Sequence, residues 1–208
     1  MKWERSMKAL LLVDIQNDFL PGGALPVPGG DAIIPAVNRL GGSFPLVVAT
    51  QDWHPRGHSS FASSHAGKKP FDSIIYGDER QTLWPDHCIQ GTKGADFPAL
   101  LDGKPVEAIF RKGTDPLIDS YSGFYDKDRR KSTGLAGYLR DKNIADVYLT
   151  GLAGDICVFE TAMDSLREGF TTYFVQDATR PLDAGRLPEL LRQFAAKGGI
   201  VVQCGDLL

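Results

Sequence analysis

Residues 146–158, DVYLTGLAGDICV, decide the fold. A short strand-forming run, Asp146-Val-Tyr-Leu-Thr, meets a turn of small residues, then an acid, then a cysteine. An apolar stripe follows: Phe159, Ala162, Met163 and Leu166 fall at i, i+3, i+4 and i+7, one face of a helix that stops near Gly169. Asp155 has the chemistry of an N-cap, which would put Cys157 in the first helical turn. Unpaired backbone N–H groups and the positive end of the helix dipole favour a thiolate there. Cys157 is therefore a candidate nucleophile, set against the plainer fate of a small buried core thiol.

Outward from this stretch, strand and helix alternate. Residues 8–15, KALLLVDI, are a continuous apolar run closing on an acid, as in a strand buried on both faces. A Gly/Pro-rich loop (16–30) leads to a helix from about Asp31 carrying Ile33, Ile34, Val37 and Leu40, and residues 46–50, LVVAT, form the second strand. Residues 106–110 give a third strand, 132–142 a helix over Leu135, Tyr138 and Leu139, and 171–175 a fifth strand. A helix over 187–197, stopped by Gly198-Gly199, precedes a short last strand at 200–203. Residues 51–104 show little periodicity but are rich in Trp, His, Pro and Gly, which marks an ordered functional segment. No repeat or linker divides the chain, so residues 1–208 read as a single α/β domain. Its right-handed crossovers imply a mostly parallel six-stranded sheet with helices on both faces. Ligands of such sheets gather beyond the carboxyl ends of the strands, near the switch in strand order.

Composition narrows the partners. The 208 residues, 42% hydrophobic and 24% charged with a formal net charge of -3, suffice for one core and carry no basic footprint for nucleic acid or an anionic membrane. No apolar run approaches the ~18 residues of a membrane span, and residues 1–8 lack a signal-peptide core. Cys88, Cys157 and Cys204 are too few and too scattered for a disulfide framework, so a reducing cytoplasm is expected. Met7 is an alternative start, with the prefix MKWERS as a short, poorly ordered extension.

Two sets of residues carry chemistry. Asp14 ends the first strand, Lys112 follows the third, and Cys157 opens the helix after the fourth, so all three reach one rim of the sheet. Alone, each has a bland reading as a solvated acid, a surface lysine or a core thiol; their convergence is the signal. The charge of Lys112 favours ionised Cys157 and ionised Asp14. Asp14 can take the thiol proton and later give it to a departing amine. The turn at 152–157 can aim backbone N–H groups at an oxyanion. A cysteine–histidine pair stays open through His54 or His87.

The second set is Asp52, His54 and His87. Asp52 and His54 stand at i, i+2 on extended chain and point the same way. With His87 in WPDHC they offer two imidazoles and a carboxylate, leaving metal coordination positions open for water or substrate. His58 and His65 are further candidates, Ser60 could reach the metal directly or through water, and Cys88 reads as a buried structural thiol.

Taken in order, LLVDIQNDFLPGGALPVPGG, TQDWHPRGHSSFA, LWPDHCIQGTKGADF, RKGTDP, DSYSGF and TGLAGDICV run from Leu11 to Val158. Together they resemble the nicotinamidase/pyrazinamidase branch of the isochorismatase-like cysteine hydrolases; DWHP with WPDHC separates this branch from metal-free relatives. The resemblance implies a Rossmann-like sheet, the triad Asp14, Lys112 and Cys157, and one divalent metal (zinc first, iron or manganese otherwise) on Asp52, His54 and His87. It leaves Ser60 at a variable fourth metal position. The implied reaction is hydrolysis of nicotinamide to nicotinate and ammonia through a thioester on Cys157, a step in NAD salvage, with pyrazinamide processed in the same pocket. It further implies backbone N–H groups of Ala153 and Cys157 as the oxyanion hole, a cis peptide before Ala153, and Phe19 and Trp84 flanking the substrate ring beside Ala153. Members of the family associate in several ways, so a homo-oligomer stays open.

Two other readings compete. A related amidase of carbamoyl or ureido compounds would share the triad and lack the metal set. A non-catalytic nicotinamide-binding protein would keep the fold without turnover. Redox chemistry is weaker, because no two cysteines have C-x-x-C spacing.

Overall fold

The computed structural model of the chain describes residues 7–76 and 79–208. The expected extension over residues 1–6 lies outside the described residues. In chain order the strands are β1 (Met7–Val13), β2 (Leu46–Asp52), β3 (Ser73–Tyr76), β4 (Glu79–Thr82), β5 (Val106–Lys112), β6 (Ile144–Leu152), β7 (Thr171–Arg180) and β8 (Ile200–Val202). The α-helices are α1 (Ile34–Gly41), α2 (Leu135–Asp141), α3 (Cys157–Arg167) and α4 (Leu187–Ala196). Six strands form one sheet in the order β5-β2-β1-β6-β7-β8, with every neighbouring pair parallel. Counted within that sheet the order is the doubly wound 3-2-1-4-5-6, with its switch point between β1 and β6.

Residue alternation divides the core between two faces. Leu10, Leu12, Val47 and Ala49 pack with Ile34, Val37 and Leu40 of α1 on one side. Ala9, Leu11, Val13, Leu46 and Val48 pack on the other with Leu135 and Leu139 of α2, Val158 and Ala162 of α3, and Phe194 of α4. Strands β1 and β2, covered on both faces, are therefore continuously apolar until they reach the sheet's carboxyl edge. The edge strand β5 alternates half-buried and exposed residues until Lys112, which is buried. Among the described residues no helix is long and apolar enough to cross a membrane.

Two expectations change. The segment over 51–104 is not irregular throughout, because β3 and β4 form an antiparallel hairpin within it. Ile74 is only half-buried and Ile75 is 73% exposed, so no buried stripe betrayed it in the sequence. Several strands also run further than their apolar cores: β2 and β5 continue to Asp52 and Lys112, which delivers these charged side chains to the switch region.

Candidate active site

Asp14 lies one residue past β1 with φ at 48°, a left-handed conformation that aspartate tolerates. Beside it, the last residue but one of β6 is Gly151 at φ 127°, where an added Cβ would sit 2.1 Å from Val13 O, so only glycine lets the two strand ends approach. The Leu152–Ala153 peptide that follows is cis. Helix α3 then begins at Cys157 itself. Asp155 does not cap it. Its carboxylate instead accepts the Leu182 and Asp183 N–H groups at 2.7 and 3.1 Å, tying the turn to the segment after β7. The Val158 N–H is met by Ala153 O at 3.1 Å, whereas no hydrogen bond from the Ala153 or Cys157 amide occurs among the described residues.

The ammonium of Lys112 gathers the first set. Its Nζ lies 2.9 Å from Asp14 Oδ2, 3.0 Å from Asp52 Oδ1 and 3.6 Å from Cys157 Sγ, and it donates to Ser120 O at 3.1 Å. Thr50 supports Asp14 from β2: its hydroxyl donates to Asp14 Oδ1 at 2.7 Å and accepts the Asp14 N–H at 3.2 Å. Burial alone would strip the charge from Lys112, but Asp14, Asp52 and Cys157 outweigh it and hold the ammonium well above its ordinary range. Burial pushes the Asp14 carboxyl up against the pull of Lys112. The Cys157 thiol is also pushed well up, burial again outweighing Lys112. Burial thus works against the thiolate that helix position and a nearby lysine favour, because charge counted along the sequence leaves out the loss of water.

The second set converges next door. One ligand atom each from Asp52, His54 and His87 lies within 4.8 Å of the others. His54 Nδ1 donates to Gly113 O at 3.1 Å and His87 Nδ1 to Pro85 O at 2.7 Å, so each ring turns its Nε2 inward. Those Nε2 atoms lie 3.1 and 3.3 Å from Asp52 Oδ2. Gln16 fixes the carboxylate's backbone, accepting the Asp52 N–H and donating to Asp52 O, both at 2.8 Å. Two imidazoles and a carboxylate, oriented by backbone carbonyls, fit a divalent metal ion. The Ser60 hydroxyl is engaged elsewhere, 2.8 Å from Nδ1 of His58, whose Nε2 meets Ile118 O at 3.3 Å. His65 meets Ser59 O at 2.7 Å, away from both sets, and Cys88 is a buried free thiol whose N–H meets Asp18 Oδ2 at 2.7 Å.

A narrow, mostly apolar cleft joins the two sets, walled by Phe19, Leu25, Val27, Trp84, Ile156 and Leu182 and floored by Cys157, Ala153, Asp52, His54 and His87. Asp119, Ser120 and Tyr121 also line it. Sequence reading singled out neither Thr50 and Gln16 nor this last trio. DSYSGF carried the trio only as part of a motif, since nothing local tells that Ser120 O meets Lys112.

Known proteins share this frame. A nicotinamidase from Acinetobacter baylyi is 48% identical over 191 residues, spanning 91% of this chain and 89% of its own. A solved Acinetobacter baumanii nicotinamidase/pyrazinamidase matches with a TM-score of 0.94 at 45% identity, over 99% of this chain and 100% of its own. The pyrazinamidase of Pyrococcus horikoshii, solved in complex with zinc, matches with a TM-score of 0.78 at 38% identity, over 94% of this chain and 98% of its own. The isochorismatase domain spans residues 8–204, and the chain belongs to that family.

Proposed function

We propose that this protein hydrolyses nicotinamide to nicotinate and ammonia, and pyrazinamide likewise, with Cys157 as nucleophile. The observation that supports the reading most is the single ammonium of Lys112, which touches Asp14, Cys157 and Asp52, the last a member of the metal-fitting cluster. The nicotinamidase relatives and the assembled metal cluster disfavour a carbamoyl amidase.

Asp52, His54 and His87 would hold a divalent ion, which supplies a Lewis-acidic anchor for a pyridine nitrogen. Phe19 and Trp84 would flank the ring, directing the carboxamide toward Cys157. Asp14 accepts the thiol proton as Sγ bonds to the amide carbon, and Lys112 stabilises the charges exchanged between them. The Ala153 and Cys157 N–H groups receive the developing oxyanion. Asp14 then passes its proton to nitrogen, the C–N bond breaks, and ammonia leaves a thioester. A water gives its proton to Asp14 and its oxygen to the acyl carbon; the C–S bond breaks and the proton returns to sulfur. The sum is amide plus water to acid plus ammonia. A sulfur nucleophile must stay reduced, and with all three cysteines free the cytoplasm is the compartment we assign.

Ammonia release from nicotinamide by purified protein, with bound metal assayed in the same sample, tests this. Release that vanishes in Cys157→Ala supports it. A metal-loaded wild type inert toward nicotinamide overturns the substrate.

A further inference from the structure

One buried polar side chain has no task in the chemistry above: Gln81, 5% exposed, on the hairpin strand β4. Its Nε2 donates to Asp119 Oδ2 and to Thr82 O, each at 2.7 Å, and reaches the Tyr121 hydroxyl at 3.3 Å. Its Oε1 accepts from Lys127 Nζ at 3.2 Å. Acceptors on one side and an ammonium on the other fix the amide's orientation, since a flip would set oxygen against carboxylate.

The chain of contacts continues into the cleft. Asp119 Oδ1 accepts the Ser120 N–H at 2.8 Å. The Tyr121 hydroxyl accepts the Trp84 Nε1–H at 3.3 Å, and the two rings stand edge to face with centroids 6.4 Å apart. An indole has one donor, so its acceptor decides how the ring turns about its bond to the backbone. The Tyr121 oxygen is placed in turn by Asp119 and Gln81. Burial, then the charge of Asp119, holds that phenol well above its ordinary range, so it stays protonated.

We propose that Gln81 is a positioning residue for amide hydrolysis: by holding Asp119 and the Tyr121 hydroxyl it sets the angle of the Trp84 wall, and with it the seating of the substrate ring. The chemical step is expected to change less than binding, because Asp119 holds the N–H of Ser120, whose carbonyl grips Lys112, through Oδ1, while Gln81 binds the other oxygen, Oδ2. This rests on the nicotinamide reading above.

The test is steady-state ammonia release from nicotinamide by the metal-loaded full chain, for wild type, Gln81→Leu, Gln81→Glu, Tyr121→Phe and the Gln81→Leu/Tyr121→Phe double variant. Gln81→Leu should raise KM roughly ten-fold and leave kcat within about two-fold, as loss of one buried hydrogen bond used only in binding predicts. Tyr121→Phe should do the same, and the double variant should be no worse than either single, since both cut one chain. Gln81→Glu keeps the Lys127 contact but faces Asp119 with oxygen in a buried site; it should raise KM and lower Tm. An unmoved KM in Gln81→Leu, multiplying effects in the double variant, or a wild-type KM in Gln81→Glu each overturns the proposal. A wild type that releases no ammonia sinks the nicotinamide reading and this inference together; an active wild type with an unmoved Gln81→Leu sinks the inference alone.

Discussion

Lys112 Nζ stands 3.0 Å from Asp52 Oδ1, while Oδ2 of the same carboxylate faces the inward nitrogens of His54 and His87. One carboxylate thus belongs to both the metal-fitting cluster and the triad. Buried ions survive only when paired, and Asp52 is paired on both sides. Despite burial, His54 and Lys112 hold its carboxyl well below the ordinary aspartate range.

That double duty separates two substitutions. His87→Ala removes a metal ligand only. Asp52→Ala removes a ligand and a partner of a buried ammonium, a loss worth a further factor of about 100 or more. With excess metal present, kcat/KM should therefore fall on the order of 100-fold further in Asp52→Ala than in His87→Ala. Equal losses, measured by ammonia release beside metal content, would show that the two sites are independent.

Because burial disfavours a free thiolate at Cys157, Asp14 is needed as base. Asp14→Asn should lower kcat by roughly 1,000-fold, within the usual range for a general base, while the folded protein keeps its metal. Since burial raises Asp14 above the ordinary 3.8, the wild-type acid limb of kcat/KM should have its midpoint above that value. Below the midpoint the carboxyl is already protonated and cannot accept the thiol proton, so activity falls as pH falls. Residual activity in Asp14→Asn should show no such limb; a limb that persists would assign the titration to another group.

Much of this was legible beforehand, for identifiable reasons. Strands β1 and β2 announced themselves because burial on both faces demands unbroken apolar runs, and Asp14, Lys112 and Cys157 because each stands at or beyond the carboxyl end of a strand. The family resemblance rested on motifs that surround these positions. What escaped was whatever depends on a distant partner. Asp155 looks like a cap until the amides of Leu182 and Asp183 arrive, 27 and 28 residues on. Gln81 looks like an exposed polar residue until Asp119 meets it from 38 residues away. Ionisation of Cys157 depends on how much water is lost, which charge counting does not register.

Gly113 yields a test of the metal cluster that touches no ligand. Its φ of 65° is left-handed, and a Cβ added there would sit 2.5 Å from His54 Cε1. Gly113→Ala must therefore displace the imidazole, whose Nδ1 also loses its aligned carbonyl. Metal affinity should drop about 10- to 100-fold, the usual effect of losing a ligand's supporting partner. Competition with a chromogenic chelator would measure it, and activity should recover at saturating metal. Unchanged affinity would mean that the Gly113 carbonyl does not orient His54.

Away from the site, Glu168 draws α2, α3 and the loop before α2 together. Its Oε1 accepts from Tyr125 OH at 2.9 Å and Arg129 Nη2 at 2.8 Å, and its Oε2 from Arg140 Nη2 at 2.8 Å. Burial pushes its carboxyl up, but Arg140, Tyr125 and Arg129 together outweigh it and leave the group below the ordinary 4.5. A lowered carboxyl in the folded state contributes stability that is fully present above 4.5 and is lost as pH falls through the folded value. Glu168→Gln should therefore destabilise by on the order of 1 kcal/mol at neutral pH, the scale of a largely solvent-screened ion-pair network. The difference from wild type should shrink as the carboxylate of the wild type is protonated. Urea unfolding of both proteins at pH steps from neutral to acid measures this; a difference that holds constant or grows on acidification would show that Glu168 stabilises through packing rather than charge.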